Sequence, residues 1–218
     1  MHIEILVEDS STAELLKILV PKLIGPHGDP HTWNLHPYKG SGRLPQDLHK
    51  YGDPAKRVLL DQLPRLLRGL GAATSGVDLI MVVVDADGRD CKGFLSELKG
   101  VATACKAESK TMFRLAIEET EAWYLGDKDA LRAAYPRAKP KVLRDYEQDG
   151  VCGTWEVLAN AVVDGGLEAV RRRGGPLPGD LKHEWAQRIG PLMALDSNNS
   201  PSFHKFCEGL RNFVAAAD

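Results

Sequence analysis

The sequence predicts an α/β fold, a mainly parallel sheet flanked by helices and followed by a helical C-terminal region. Three observations predict it. Residues 79–84, Leu-Ile-Met-Val-Val-Val, form an unbroken apolar run of the length of a strand covered on both faces. Short apolar runs of this kind alternate along the first part of the chain with stretches whose apolar residues recur at helical spacing, the pattern of right-handed crossovers between parallel strands. After Pro136 the composition changes and only helical spacing remains.

In chain order, residues 2–7 read as the first strand. Leu15, Leu16, Ile18, Leu19, Leu23 and Ile24 then recur at helical spacing, which predicts a helix capped by Ser10 or Ser11 and stopped by Gly25-Pro26. Residues 31–38 suit a second strand. Residues 39–43, Lys-Gly-Ser-Gly-Arg, form a basic loop without the glycine-lysine pattern of a nucleotide-binding P-loop. A helix is expected from Asp53-Pro54 through Leu70, then the strand at 79–84, a helix over 93–106, and a strand over 111–117. Short helices follow at 122–125 and 129–134. Lys139-Pro140-Lys141 reads as a break and residues 174–179 as a loop. Further helices are expected near 155–163, 167–172, 181–189 and 201–214, the last with Ser200 as cap and Pro201 at its first position. This divides the chain into an α/β core, 1–136, and a helical region packed on it, 137–218.

Composition sets outer bounds. The 218 residues are 43% hydrophobic and 27% charged, values ordinary for a globular protein. Twenty-eight basic residues against thirty acidic ones leave a formal charge of −2, so nucleic acid would have to be held by a local basic patch. The four cysteines have no zinc-ligand spacing, and no histidine pair reads His-x-x-x-His. The chain opens Met-His-Ile-Glu, with no basic and apolar leader and no apolar run of membrane-spanning length. Cytoplasmic localisation with reduced thiols is the expectation.

The chemistry is expected at the strand ends. In a parallel sheet, Glu8, Asp85, Asp87 and the Glu118–Glu121 cluster all fall at the carboxyl edge, where such sheets place their sites. Several acids gathered there repel one another unless a cation neutralises them. Carboxylate oxygens suit Mg²⁺ or Mn²⁺, which makes Glu8, Asp85, Asp87 and Glu121 the candidate ligands. Glu118 and Glu121 would share a helix face at three residues' separation. Lys39 and Arg43 are candidates for a substrate phosphate. Each residue also has a plain structural reading: Asp-x-Asp-Gly is a common turn, acids favour helix N-termini, and basic loop residues are usually solvated.

Taken together, several short motifs resemble a family. Val7-Glu8 after the first strand, with Asp85-Ala-Asp87 after a later apolar run, is similar to the Toprim domain of topoisomerases, primases and overcoming-lysogenization-defect nucleases. More narrowly, Leu6-Val-Glu-Asp, Val84-Asp-Ala-Asp, the stretch from Ala116 to Leu125 (Ala-Ile-Glu-Glu-Thr-Glu-Ala-Trp-Tyr-Leu), and Trp185 with Ser200-Pro-Ser-Phe203 resemble the bacterial domain-of-unknown-function family 4276 (DUF4276). That likeness spans nearly the whole chain. It implies a Rossmann-like Toprim core and a Mg²⁺- or Mn²⁺-dependent nuclease acting on DNA or RNA, working beside an ATPase partner in bacterial phage defence. Carried over, Glu8 is ligand and proton-transfer group, Asp85 and Asp87 are the metal pair with catalytic roles, and Glu121 is the later acid. Two positions depart from the Toprim pattern: Asp9 stands where glycine usually follows the first glutamate, and Thr12 where the nuclease branch has a second acid. A degenerate Toprim module that binds an ATPase partner or nucleic acid without cutting is the alternative. Resemblances to a response-regulator receiver, through Ile5-Leu-Val-Glu-Asp-Ser, and to a haloacid-dehalogenase phosphatase, through Asp85-Ala-Asp-Gly, fit less well. The acid after the later strand lies too far from Glu8 for the first, and a full strand-helix unit precedes Asp85 against the second.

Overall fold

Alternate residues of the first strand part company at once. Ile3, Ile5 and Val7 are buried on one side of the sheet, Leu6 on the other. The same split runs through the third strand, where Leu79, Met81 and Val83 face one way and Ile80, Val82 and Val84 the other. A strand with a helix layer on each face needs apolar residues at every position, which is why residues 79–84 carry no polar alternation. The computed structural model describes all 218 residues except 51, 73, 75, 108, 151, 174–176 and 217–218.

The fold is α/β. Strands β1 (His2–Val7), β2 (Thr32–Pro37), β3 (Leu79–Asp85) and β4 (Lys110–Ala116) form a four-stranded sheet in the order β2-β1-β3-β4. Every pairing is parallel, with Ile3 opposite Trp33 and Leu79, and Asp85 opposite Ala116. The chain runs outward from β1 to β2, then returns to the other side for β3 and β4. The strand order therefore reverses between β1 and β3, and a crevice opens there at the carboxyl edge.

Helix α1 (Ser10–Ile24) covers one face of the sheet. Helices α2 (Leu59–Leu70) and α3 (Cys91–Cys105) cover the other, with Leu59, Leu63, Leu67, Phe94 and Leu98 packed on β1 and β3. Among the described residues the helices after β4 are α4 (Glu121–Leu125), α5 (Lys128–Ala134), α6 (Pro140–Asp145), α7 (Thr154–Val162), α8 (Gly166–Arg173), α9 (Leu177–Ile189) and α10 (Pro201–Ala215). Their buried side chains, among them Leu143, Leu158, Trp185 and Phe203, belong to the cluster that holds Ile3, Leu15 and Met81. One apolar core thus continues across residue 136. No helix among the described residues is long and apolar enough to cross a membrane, and the four cysteines are free thiols.

Several boundaries differ from the sequence expectation, each for a local reason. Asp9, not Ser10 or Ser11, caps α1, its carboxylate accepting from Thr12 N at 2.7 Å. Asp53-Pro54 opens only a 3-10 turn over Pro54–Lys56, because Arg57 turns left-handed at φ 52° and α2 starts afresh at Leu59. Asp90 caps α3 two residues earlier than expected, accepting from Gly93 N at 2.8 Å. The expected break at 139–141 is the start of α6, with Pro140 at the first turn, where a missing N–H costs nothing. Helix α9 begins at Leu177, inside the expected 174–179 loop, of which residues 174–176 lie outside the described residues. Glu118 is left-handed at φ 64° and precedes α4, so no helical face is shared between Glu118 and Glu121.

Candidate functional site

Glu8 leaves the end of β1 and Asp85 ends β3, so the two acids meet where the strand order reverses. Asp85 N donates to Glu8 Oε2 at 3.3 Å, and the Ser41 backbone hydrogen-bonds the same carboxylate. Asp85 is only 7% exposed. Its Oδ1 accepts from Thr120 Oγ1 at 3.1 Å, and Thr120 lies 3.1 Å from Thr12 Oγ1. A hydroxyl carries one proton, so the order of donation runs from Thr12 to Thr120 to Asp85. Thr12 thus supplies a neutral donor to Thr120, which donates to the buried carboxylate.

The loop after β2 is fixed beside Glu8 through its backbone. Tyr38 N donates to Val7 O and Gly40 N to Glu8 O, both at 3.0 Å. The first amides of α2, Leu59 and Leu60, donate back to Gly40 O and Ser41 O. Gly42 sits at φ 69° against α2, where an added Cβ would come within 2.1 Å of Val58 Cγ1. A side chain at this position would be strained by the backbone angle and would clash with Val58, so glycine suits it. The loop presents Lys39 and Arg43, both exposed, at the carboxyl edge. Asp87 stands at the mouth, exposed, with φ 49° and its N–H donating to Glu118 O at 3.0 Å.

Glu121 begins α4 and is 3% exposed. Its carboxylate is engaged by a residue the sequence reading did not include, Lys182 of α9, whose Nζ lies 3.2 Å from Glu121 Oε2 and 3.6 Å from Glu119 Oε1. Glu119 is itself held by α7: its Oε2 accepts from Thr154 Oγ1 at 3.1 Å and Trp155 N at 2.9 Å. Glu8, Asp85 and Glu121 therefore come together as the spacing suggested, Asp87 lies at the rim, and Glu121 is paired. No local pattern marks Lys182, which follows Glu121 by 61 residues. Thr120 was visible only as a member of the acidic cluster.

The acids of the crevice shift one another's titration. Burial first, then the charges of Glu8, Glu121 and Asp9, push Asp85 well above the ordinary carboxylate range. Burial, Asp87 and Asp9 raise Glu8, against its backbone hydrogen bonds. Burial lifts Glu121 to about 7, although Lys182 opposes the shift. Burial alone would lower Lys182, but Glu121, Glu119, Asp85 and Asp9 reverse this and hold its proton.

Mg²⁺ is held by one or two carboxylates, retained waters and substrate phosphates. The Glu8–Asp85 pair fits that habit as a hard oxygen set. Among the described residues no group of three or more His, Cys, Asp or Glu side chains is placed to hold a metal ion. Comparison with known proteins brings no assignment: no family model matches the chain, and neither a curated protein nor a solved structure does.

These shifts have a consequence for stability. A carboxylate raised on folding stabilises the protein most when protonated, and that stability is lost as pH rises through its folded pKa. Metal-free protein should therefore melt at progressively lower temperature from about pH 5 to about pH 7.5, following Glu8, Asp85 and Glu121. Glu4 has the opposite sign. Burial raises it, but hydrogen bonds from His36, His2 and Asn34 outweigh this and lower its pKa, so its contribution is complete above the ordinary carboxylate range. Calorimetry across this range should show the decline, with Glu121→Gln flattening it. A profile that rises or stays level would contradict the electrostatic account.

Proposed function

We propose that the chain is a Mg²⁺- or Mn²⁺-dependent nuclease of Toprim type, hydrolysing phosphodiester bonds in DNA or RNA. One observation carries the reading: Glu8 and Asp85 stand together at the sheet's switch point with both pKa values raised, Glu8 by burial and the charges of Asp87 and Asp9, Asp85 by burial and the charges of Glu8, Glu121 and Asp9. Mutually repelling acids in a crevice are stable when a cation joins them. A bound divalent ion would supply a more acidic water and draw charge from a phosphate oxygen.

The residues divide the remaining work. Asp85 is the anchor, buried and oriented by the Thr12–Thr120 relay. Glu8 has an elevated pKa and is less buried, which suits a group that takes a proton from attacking water near neutral pH. Asp87 contributes its charge from the rim. Lys39 and Arg43 lie on the hydrogen-bonded loop beside Glu8, where they can pair with flanking phosphates. A net charge of −2 makes such a local cationic patch necessary for a nucleic acid substrate.

A second reading, a non-cutting subunit that regulates an ATPase partner, is favoured by the Lys182 contacts, which neutralise part of the acidic cluster from within. Purified protein with Mn²⁺ should nick plasmid or cut RNA, and Glu8→Gln should abolish the cleavage. Intact nucleic acid, with the protein alone and with an ATPase partner, would transfer the assignment to the regulatory role. Equal cleavage by wild type and Glu8→Gln would place the chemistry elsewhere.

A further inference from the structure

Lys182 reaches the crevice from the helical region, and its position is fixed from both ends. Three residues on, Trp185 is fully buried, as are Ala186 and Ile189. Lys182 and Trp185 lie on one face of α9, the face packed into the core. The aliphatic stem therefore leaves a rigid helix, and the side chain remains 18% exposed. Its two acceptors are equally constrained. Glu119 is tied to the first turn of α7 by Thr154 and Trp155, and Glu121 belongs to a helix whose five residues are all buried. The ammonium spans two tethered carboxylates, Glu121 buried and Glu119 partly open to solvent.

The acidic crevice thus has two halves. On one side the Glu8 carboxylate is hydrogen-bonded by the backbone of Asp85 and Ser41, and Thr120 Oγ1 donates to the Asp85 carboxylate. On the other side Glu119 and Glu121 share a single ammonium. A divalent ion bound by Glu121 would lie close to the Lys182 charge, a repulsion that a half-buried site screens poorly.

We propose that Lys182 is a resident second cation, filling the Glu119–Glu121 half of the crevice so that the site takes one divalent ion, on Glu8 and Asp85, and not two. The inference rests on the metal reading given under Proposed function and specifies the number of ions that reading requires. It also gives the helical region a part in the site, since α9 supplies a charge that the strand ends lack.

The number of ions is measured directly by titrating the full-length protein with Mn²⁺ and following free Mn²⁺ by electron paramagnetic resonance. Wild type is expected to bind one ion per chain. Lys182→Met, which keeps the stem and removes the charge, should bind a second, while Lys182→Arg should still bind one. Two ions on wild type would overturn the proposal with no variant needed, even if Lys182→Met fails to fold. A folded Lys182→Met that still binds one ion would also overturn it and leave Lys182 a structural ion pair. No Mn²⁺ on wild type would instead remove the underlying metal reading.

Discussion

Asp85→Asn should abolish Mn²⁺ binding and reduce nucleic acid cleavage by about 100-fold or more, while raising the melting temperature of the metal-free protein at neutral pH. The activity loss follows from its place as the buried anchor of the proposed site. Loss of a group that only orients a metal's ligands typically costs about 10- to 100-fold in affinity or activity, and loss of a direct ligand should cost at least as much. The stability gain has a separate origin. Asp85 is buried among Glu8, Glu121 and Asp9, which together with desolvation hold its pKa well above the ordinary range. An amide is neutral at every pH and still offers an oxygen to Thr120 Oγ1, which lies 3.1 Å from Asp85 Oδ1. Removing the charge therefore relieves repulsion and keeps the hydrogen bond. Melting curves of metal-free protein and Mn²⁺ titrations separate the two effects. A variant that cuts normally, or that melts lower without metal, would break the link between this carboxylate's burial and its role.

The second large effect lies in the core beneath the site. Trp123→Ala should destabilise the protein by about 3–5 kcal/mol, the range for removing a fully buried aromatic side chain. For a chain of this size that is a fall of roughly 10 °C in melting temperature. Trp123 is completely buried, stacks on Phe206 at 5.2 Å and meets Phe203 at 5.5 Å. Its indole N–H donates to Ser202 Oγ at 2.9 Å, and Asn198 Nδ2 donates to its carbonyl at 2.8 Å. These contacts clamp α4, and with it Glu121, to α10. Trp123→Phe keeps most of the packing and loses the indole hydrogen bond, so it should cost about 1–2 kcal/mol. Thermal or denaturant unfolding distinguishes the two variants. If Trp123→Ala melted like the wild type, α4 would not be held in the way described.

The parts of the fold that were legible in the sequence are those written in local pattern. The apolar run at 79–84 showed a strand covered on both faces, and the strand-helix alternation showed a parallel sheet, which together located Glu8 and Asp85 at one edge. Capping geometry was less legible, because Asp9, Ser10 and Ser11 are all competent caps and only the backbone angle at Asp9 selects among them. Helix α6 was missed because proline signals both a break and a first helical turn. Lys182 was out of reach for a different reason: its partners are distant in sequence, and a lysine on an amphipathic helix carries no mark of where it points. The same holds for Thr12 and Thr120, whose contact across 108 positions turns two unremarkable hydroxyls into a relay. The motifs around Trp123 and Ser200–Phe203 stood far apart in the sequence, and in the fold they pack together.

In the proposed site Glu8 and Asp85 share a divalent ion. Anomalous diffraction from crystals soaked in Mn²⁺ tests it most directly. The expected result is one strong peak in the crevice between the ends of β1 and β3, in contact with both carboxylates and absent from Asp85→Asn crystals. A crevice with no peak, or a peak centred on other residues, would contradict it.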